Sequence, residues 1–148
     1  MVVQTSYPET FDEGFAGLKA EPFSENQVDT GIASEEIALG ACVVFGTGDD
    51  VYDLAAVDET PVGVAIYDLS HEKDSDGSYK FAAQDSFPVL SKGRVWMVAN
   101  AALAAGAAVS WDPATGKVGA NGAATTEDFG TIRKASSADG DLVIVELS

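Results

Sequence analysis

From Ile37 onward the sequence is divided into short apolar runs by clusters of Gly, Asp, Asn and Pro. The clusters recur at about ten-residue spacing, which is typical of antiparallel sandwiches and barrels, because each cluster supplies the residues that tight turns need. We therefore expect an all-β fold, a compact antiparallel β-sandwich or β-barrel of the jelly-roll kind. The predicted strands are 37–45, 51–56, 62–69, 79–83, 87–90, 94–99, 107–111, 117–119, 129–134 and 142–147.

Two of these runs, residues 95–98 and 142–145, are continuously apolar and contain many β-branched or aromatic side chains. We expect them at the centre of an antiparallel sheet, with at least one of them covered on both faces. Residues 111–117 place a proline and a glycine where a hairpin turn needs them. The alanine-rich segment 99–106 is the one place where we expect a helical turn, ended by Gly106.

Residues 1–30 show no steady helical or strand period and are interrupted by prolines and glycines. We interpret them as an extended N-terminal arm, followed by a single all-β domain over residues 31–148. An arm with large apolar side chains has to bury them, either on its own domain or on a neighbouring subunit. The candidate residues for such contacts in the arm are Phe11, Phe15, Leu18 and Phe23.

The formal net charge of −16 is concentrated in the first half of the chain. Residues 1–76 contain 17 acidic and 2 basic residues, whereas residues 77–148 contain 7 acidic and 6 basic residues. Such a surface repels phosphate backbones and anionic lipids, because both are bound through lysine and arginine. We expect neither a nucleic acid nor a membrane as partner. The first residues lack a signal-peptide pattern, so assembly in a cytosol is the default expectation.

Residue types that support catalysis or metal binding are few. His71, the only histidine, lies in a polar stretch with no nucleophile or orienting partner, so we interpret it as a solvated loop residue. Residues 72–77 resemble the start of an EF-hand calcium loop, but the twelfth position of that loop is Ala83 instead of a glutamate. We expect Cys42, the single cysteine, to be a small buried hydrophobe. The sequence therefore predicts no catalytic residue, no metal site and no cofactor.

Four segments in the same order and spacing carry a resemblance to a known family. They are GFAGLKA at 14–20, DTGIA at 29–33 leading into GACVVFGTGDD at 40–50, FPVLSKGRVWM at 87–97, and AAGAAVSWDPATG at 104–116. On these segments the chain resembles the phage structural cement proteins, a family of small virion proteins that decorate capsids. It departs from the family at the 106–108 turn, which usually carries Asp and Pro, and in the more acidic 71–79 loop.

The resemblance implies a β-sandwich or β-barrel that forms dimers or trimers on the outside of the capsid, where subunits of the major capsid protein meet. The family offers no catalytic motif, so we expect a mechanical role and no enzyme. One alternative is an acidic adaptor module that binds proteins or mimics DNA, although its acids lie mainly in turns and in the arm instead of in rows. A small β-barrel hydrolase is a second alternative, but no convergent His, Cys or metal set supports it.

Overall fold

The computed structural model describes residues 14–20, 26–67 and 79–147, and this part of the chain is built from strands without a helix. The all-β prediction is confirmed. The strands are β1 (Gln27–Ala33), β2 (Ile37–Ala38), β3 (Cys42–Phe45), β4 (Val51–Leu54), β5 (Gly63–Ala65), β6 (Lys80–Phe81), β7 (Ser86–Val98), β8 (Ala108–Asp112), β9 (Lys117–Gly119), β10 (Gly130–Lys134) and β11 (Leu142–Leu147).

The 13-residue strand β7 joins two closed groups of strands. Its first half pairs with β1 and β5, and its second half pairs with β11 in the register Val95↔Val145. The change occurs at Gly93, whose φ of 132° is a backbone conformation that L side chains rarely adopt. One strand therefore belongs to both groups.

The first group, here called the first barrel, has the strand order β1-β4-β3-β5-β7 and closes because β1 also pairs with β7. The β1–β4 pairing is parallel, whereas the other pairings within this group are antiparallel. The second group, the second barrel, has the order β7-β11-β10-β8-β9. The residues after β7 close it, since the Asn100 N–H donates to the Val118 carbonyl at 2.9 Å. Closure leaves few unpaired strand edges in either barrel.

The core is one continuous cluster of buried apolar side chains that runs through both barrels. Val95, Trp96 and Met97 are consecutive in β7 and all buried, so this strand is covered on both faces, as predicted. Its partner β11 alternates between buried and half-buried residues. The prediction that residues 95–98 and 142–145 lie at the centre of an antiparallel sheet is confirmed, and the structure shows that the two strands pair with each other.

Residues 17–20 add a short edge to the second half of β7, on the side opposite β11. The Gly17 N–H donates to the Trp96 carbonyl at 2.9 Å, and the Trp96 N–H donates to the Leu18 carbonyl at 2.8 Å. Gly14 lies against the indole of Trp96, because a Cβ added there would be 2.8 Å from ring atoms. On the same indole, the Lys134 ammonium lies 5.4 Å from the ring centroid. Part of the predicted arm thus completes the cover of Trp96.

Several predicted elements differ from the structure. The helical turn at 99–106 is wrong: Leu103 instead exchanges backbone hydrogen bonds with Ser136, at 3.2 and 3.0 Å. A segment this short is a marginal helix by itself, so these sheet-like bonds prevail. The predicted strands 87–90 and 94–99 form one strand, whereas the predicted strand 37–45 is divided by a turn at Gly40. Strand β1 was not predicted, and it extends across residue 30, where we expect the arm to end and the domain to begin. That division into arm and domain stays a prediction.

Two turns pack backbone to backbone where the arm meets the first barrel. Gly17 and Gly40 have φ values of 88° and 82°, and a Cβ added to Gly17 would lie 2.9 Å from the Gly40 nitrogen. The Tyr67 N–H donates to the Gly17 carbonyl at 2.9 Å, and the Gly40 N–H donates to the Ala65 carbonyl at 2.8 Å. These glycines hold the arm segment against β5 and the residues that follow it.

We predict that Gly17→Ala lowers the free energy of unfolding by at least about 2 kcal/mol, since it adds both backbone strain and a steric clash. Gly122→Ala is the matched control, because a Cβ at Gly122 meets nothing within 4 Å and its φ is not positive. The control should change stability by less than about 0.5 kcal/mol. Urea unfolding followed by tryptophan fluorescence measures both variants. Equal midpoints for the two would show that the Gly17 contact is dispensable.

Candidate functional site

The arm residues that the structure describes lie on their own chain. Phe15 makes an edge-to-face contact with Tyr67 at 5.3 Å between ring centroids and stacks on Tyr79 at 6.2 Å, yet it stays 39% exposed. Leu18 is half-buried beside β7. Phe11 and Phe23, the other two predicted contact residues, lie outside the described residues. The structure therefore brings together Phe15 and Leu18, and leaves one face of Phe15 open.

A groove of about 410 Å³ lies beside this part of the arm. It runs between the arm, the start of β1 and the start of β7. Val28 is 42% exposed, and it lies on the same face of β1 as Thr30. The lining residues are Lys19, Val28, Thr30, Ile66, Tyr67, Ser86, Phe87 and Pro88. The groove is mixed in chemistry, with one cationic side chain and several apolar ones.

A second exposed apolar feature lies at the end of β3. Phe45 is 71% exposed, the largest exposure of any bulky apolar residue in the described part of the chain. Its ring contacts Tyr52 at 5.6 Å, Tyr52 contacts Phe87 at 5.9 Å, and Phe87 contacts Phe81 at 5.3 Å. A row of rings thus leads from the buried core to the surface. The exposure of Phe45 was not predicted from the sequence, because an aromatic residue before a glycine-rich turn is indistinguishable from the last core residue of a strand.

Carboxylates surround the exposed end of this row. Burial raises the pKa of Tyr52, and the charges of Asp29 and Asp50 raise it further, so both carboxylates act on its hydroxyl. Asp50 lies in a turn with a φ of 59°, and its carbonyl accepts a hydrogen bond from the Ile32 N–H at 2.7 Å. Within residues 14–20, 26–67 and 79–147, no lysine or arginine forms an ion pair with Asp29, Asp49 or Asp50.

The acidic residues of the second barrel are paired in a different way. Glu146 on β11 binds both Arg94 on β7, at 3.2 Å, and Arg133 on β10. Lys117 binds Asp139 at 2.8 Å. Within the described residues, the carboxylates of Asp29, Asp49 and Asp50 thus lack the ion pairs that Glu146 and Asp139 form in the second half of the chain.

Groups that could support chemistry are buried or dispersed. Cys42 is fully buried, and burial raises the pKa of its thiol, which agrees with the predicted role as a small hydrophobe. His71 and the calcium-like segment 72–77 lie outside the described residues. In the part of the chain that the structure describes, no three His, Cys, Asp or Glu residues are grouped to hold a metal ion. Nor does that part contain a helix of the length and hydropathy that crossing a membrane requires.

Comparison with known proteins agrees with the family resemblance of the four sequence segments. A family model described as "Structural cement protein (E217 gp24/Pam3 gp6)" matches residues 3–148. The chain belongs to this phage structural cement protein family. It is accordingly a structural protein of the bacteriophage capsid and is found in the virion. No curated protein matches the sequence.

Two solved structures share the fold of this cement protein at low sequence identity. A chain from the capsid of Myoviridae phage XM1 has a TM-score of 0.71 and 15% identity, with 99% of this chain and 97% of that chain covered. A second chain, from the head fiber gp8.5 N base of bacteriophage phi29, has a TM-score of 0.53 and 17% identity, covering 83% of this chain and 94% of that chain. The two-barrel architecture of the cement protein is thus also found in another phage capsid.

We predict that Glu146 titrates below the usual range of a glutamate, because hydrogen bonds from Arg133 and Arg94 lower the pKa of its carboxyl. A group whose pKa is lower in the folded state stabilises the fold above its unfolded pKa and loses that contribution as the pH falls through the folded value. Glu146→Gln should therefore reduce stability at neutral pH, and the difference from wild type should vanish in acid. A carboxyl NMR titration measures the midpoint, which Arg133→Gln should raise. An unchanged midpoint in that variant would contradict the pairing.

Proposed function

We propose that the chain binds the outer surface of the phage capsid at junctions between major capsid protein subunits and thereby stabilises the head. The match of the cement family model over residues 3–148 is the observation that carries this proposal. The role is mechanical, and no enzymatic activity belongs to it. Assembly takes place in the cytoplasm of the bacterial host, where the shell protein is also made.

The two-barrel body suits such a role. Because both barrels share β7 and one continuous core, they move as one unit, and contacts made by one barrel position the other. A molecule that contacts two or more shell subunits converts each added contact into an intramolecular event, so modest interfaces sum to firm attachment. Dimers or trimers of the chain would multiply this effect further.

The charge of the protein supports an external position. A strongly acidic protein has little tendency to bind DNA, because phosphate binding depends on lysine and arginine. It would not compete with the shell for the genome during packaging. An acidic adaptor module that binds a basic protein partner is the alternative on the same charge, and binding to capsids distinguishes the two.

The arm is our candidate for one attachment. Phe15 and Leu18 lie on the first turn of the described arm, and Phe15 keeps an open face. We propose that Phe11, Phe15, Leu18 and Phe23 anchor the arm on the shell or on a sister subunit, since buried aromatic anchors dominate the energy of protein interfaces. The arm would then serve two purposes, covering Trp96 within its own chain and holding a neighbour.

We predict saturable cosedimentation of the purified protein with empty, undecorated shells of its own phage, at a fixed ratio to shell subunits. Phe11→Ala/Phe23→Ala should weaken this binding at least about tenfold if these residues are anchors. Val57→Ala is the control, because Val57 is 42% exposed in a loop outside the arm. Thermal melting of each variant separates loss of binding from loss of folding. No binding by the wild-type protein would favour the adaptor alternative, and unchanged binding by the double variant would remove the arm from the proposal.

A further inference from the structure

Phe45 is exposed and at the same time held in place. Its ring leans on Tyr52 with an angle of 35° between the planes, and Tyr52 is itself buried against Phe87. A side chain that is already ordered loses little conformational entropy when a partner covers it. Aromatic residues, Phe among them, are enriched at protein interfaces relative to the rest of the surface. The position is therefore suited to an interface anchor.

The surroundings of Phe45 select the partner by charge. Phe45 pairs in register with Tyr52, so both side chains lie on the same face of the sheet, and the Tyr52 ring lies over Gly31 of the neighbouring strand β1. Asp29 lies on this face of β1, two residues before Gly31, and Asp49 and Asp50 are exposed in the turn that leads from Phe45 to β4. A partner that covers this patch has to approach uncompensated negative charge, so a partner with lysine or arginine is favoured.

The same charges argue against a second copy of this chain as the occupant. A symmetric contact through Phe45 would place the carboxylates of one copy against those of the other, and like charges brought together across an interface are unfavourable. Anionic lipids and nucleic acids are disfavoured for the same reason. A cationic side chain, in contrast, interacts favourably with both the carboxylates and the open face of an aromatic ring.

We propose that the Phe45 patch, formed by Phe45 and Tyr52 with Asp29, Asp49 and Asp50, docks onto a basic surface of the capsid shell. An arginine or lysine of the shell protein lies over the open face of Phe45 and between the carboxylates. This inference rests on the proposed capsid-binding function and adds to it the face of the molecule that meets the shell and the chemistry of the site it meets. The arm and this patch are separate attachments, one apolar and one charged.

The test compares two variants in shell-binding isotherms at several salt concentrations. Phe45→Ala should weaken binding at least about tenfold at every salt concentration, as expected for an interface anchor. Asp29→Asn/Asp50→Asn should weaken binding most at low salt and flatten the salt dependence, because screening acts on the charges that it removes. Asparagine tolerates the positive φ of Asp50, so the fold should be kept.

Each variant has a matched control. Val57→Ala removes another exposed apolar side chain, and Glu127→Gln removes an exposed carboxylate from the second barrel. Both controls should bind as the wild type does. Wild-type binding together with unchanged isotherms for both test variants would overturn the docking surface and leave the proposed function intact. A lower sedimentation coefficient for Phe45→Ala in free solution would also overturn it, because the patch would then contact a second copy.

A second measurement does not depend on the shell. Titration of an amidated tri-arginine peptide into the labelled full-length protein should shift the NMR signals of Phe45 and Tyr52, and a tri-glutamate peptide should not. The shifts should be lost in Asp29→Asn/Asp50→Asn. If wild type fails to bind shells but these shifts occur, the proposed function fails and the cation preference of the patch stands. Absence of the shifts in wild type would overturn the cation preference.

Discussion

The two barrels depend on the backbone pairing of one strand. β7 exchanges hydrogen bonds with β1 and β5 over its first half and with β11 over its second half, so it belongs to both closed sheets. Neither sheet closes without it, and Val95, Trp96 and Met97 need cover on both faces because of this central position. A strand that is buried on both faces has to be apolar at consecutive residues, as a strand of a parallel sheet does. The shape of the whole molecule follows from this requirement.

The cover of Trp96 links the N-terminal segment to the fold. Gly14 leaves room for the indole because it has no Cβ, and Gly17 brings the following residues close enough to hydrogen-bond with β7. The glycines that contribute to the family resemblance in this segment are therefore explained by close packing. Phe15 lies between them and cannot be buried by the same contacts, so it packs sideways on Tyr67 and Tyr79. The arm is thus partly a structural element of its own domain.

Sequence reasoning was successful where local pattern and burial agree. The strands at 117–119 and 142–147 have the predicted bounds, because turn residues come directly before each of them. It failed where distant parts of the chain decide the outcome. β1 has five exposed residues and no apolar alternation, and it is a strand because β7 and β4 offer unpaired backbone groups. Residues 91–93 have the composition of a turn, yet strand pairing before and after them continues β7 through this segment, with a shift in register at Ser91.

The charged residues near β11 and those near Tyr52 differ in whether they have partners of opposite charge. Pairing of Glu146 with two arginines ties β11 to β7 and β10, so charges of the second barrel stabilise its own strands. The carboxylates near Tyr52 have no such partners in the described part of the chain, and they raise the pKa of the tyrosine that supports Phe45. Repulsion among uncompensated charges opposes folding, and a partner of opposite charge relieves it. We propose that the capsid shell is this partner.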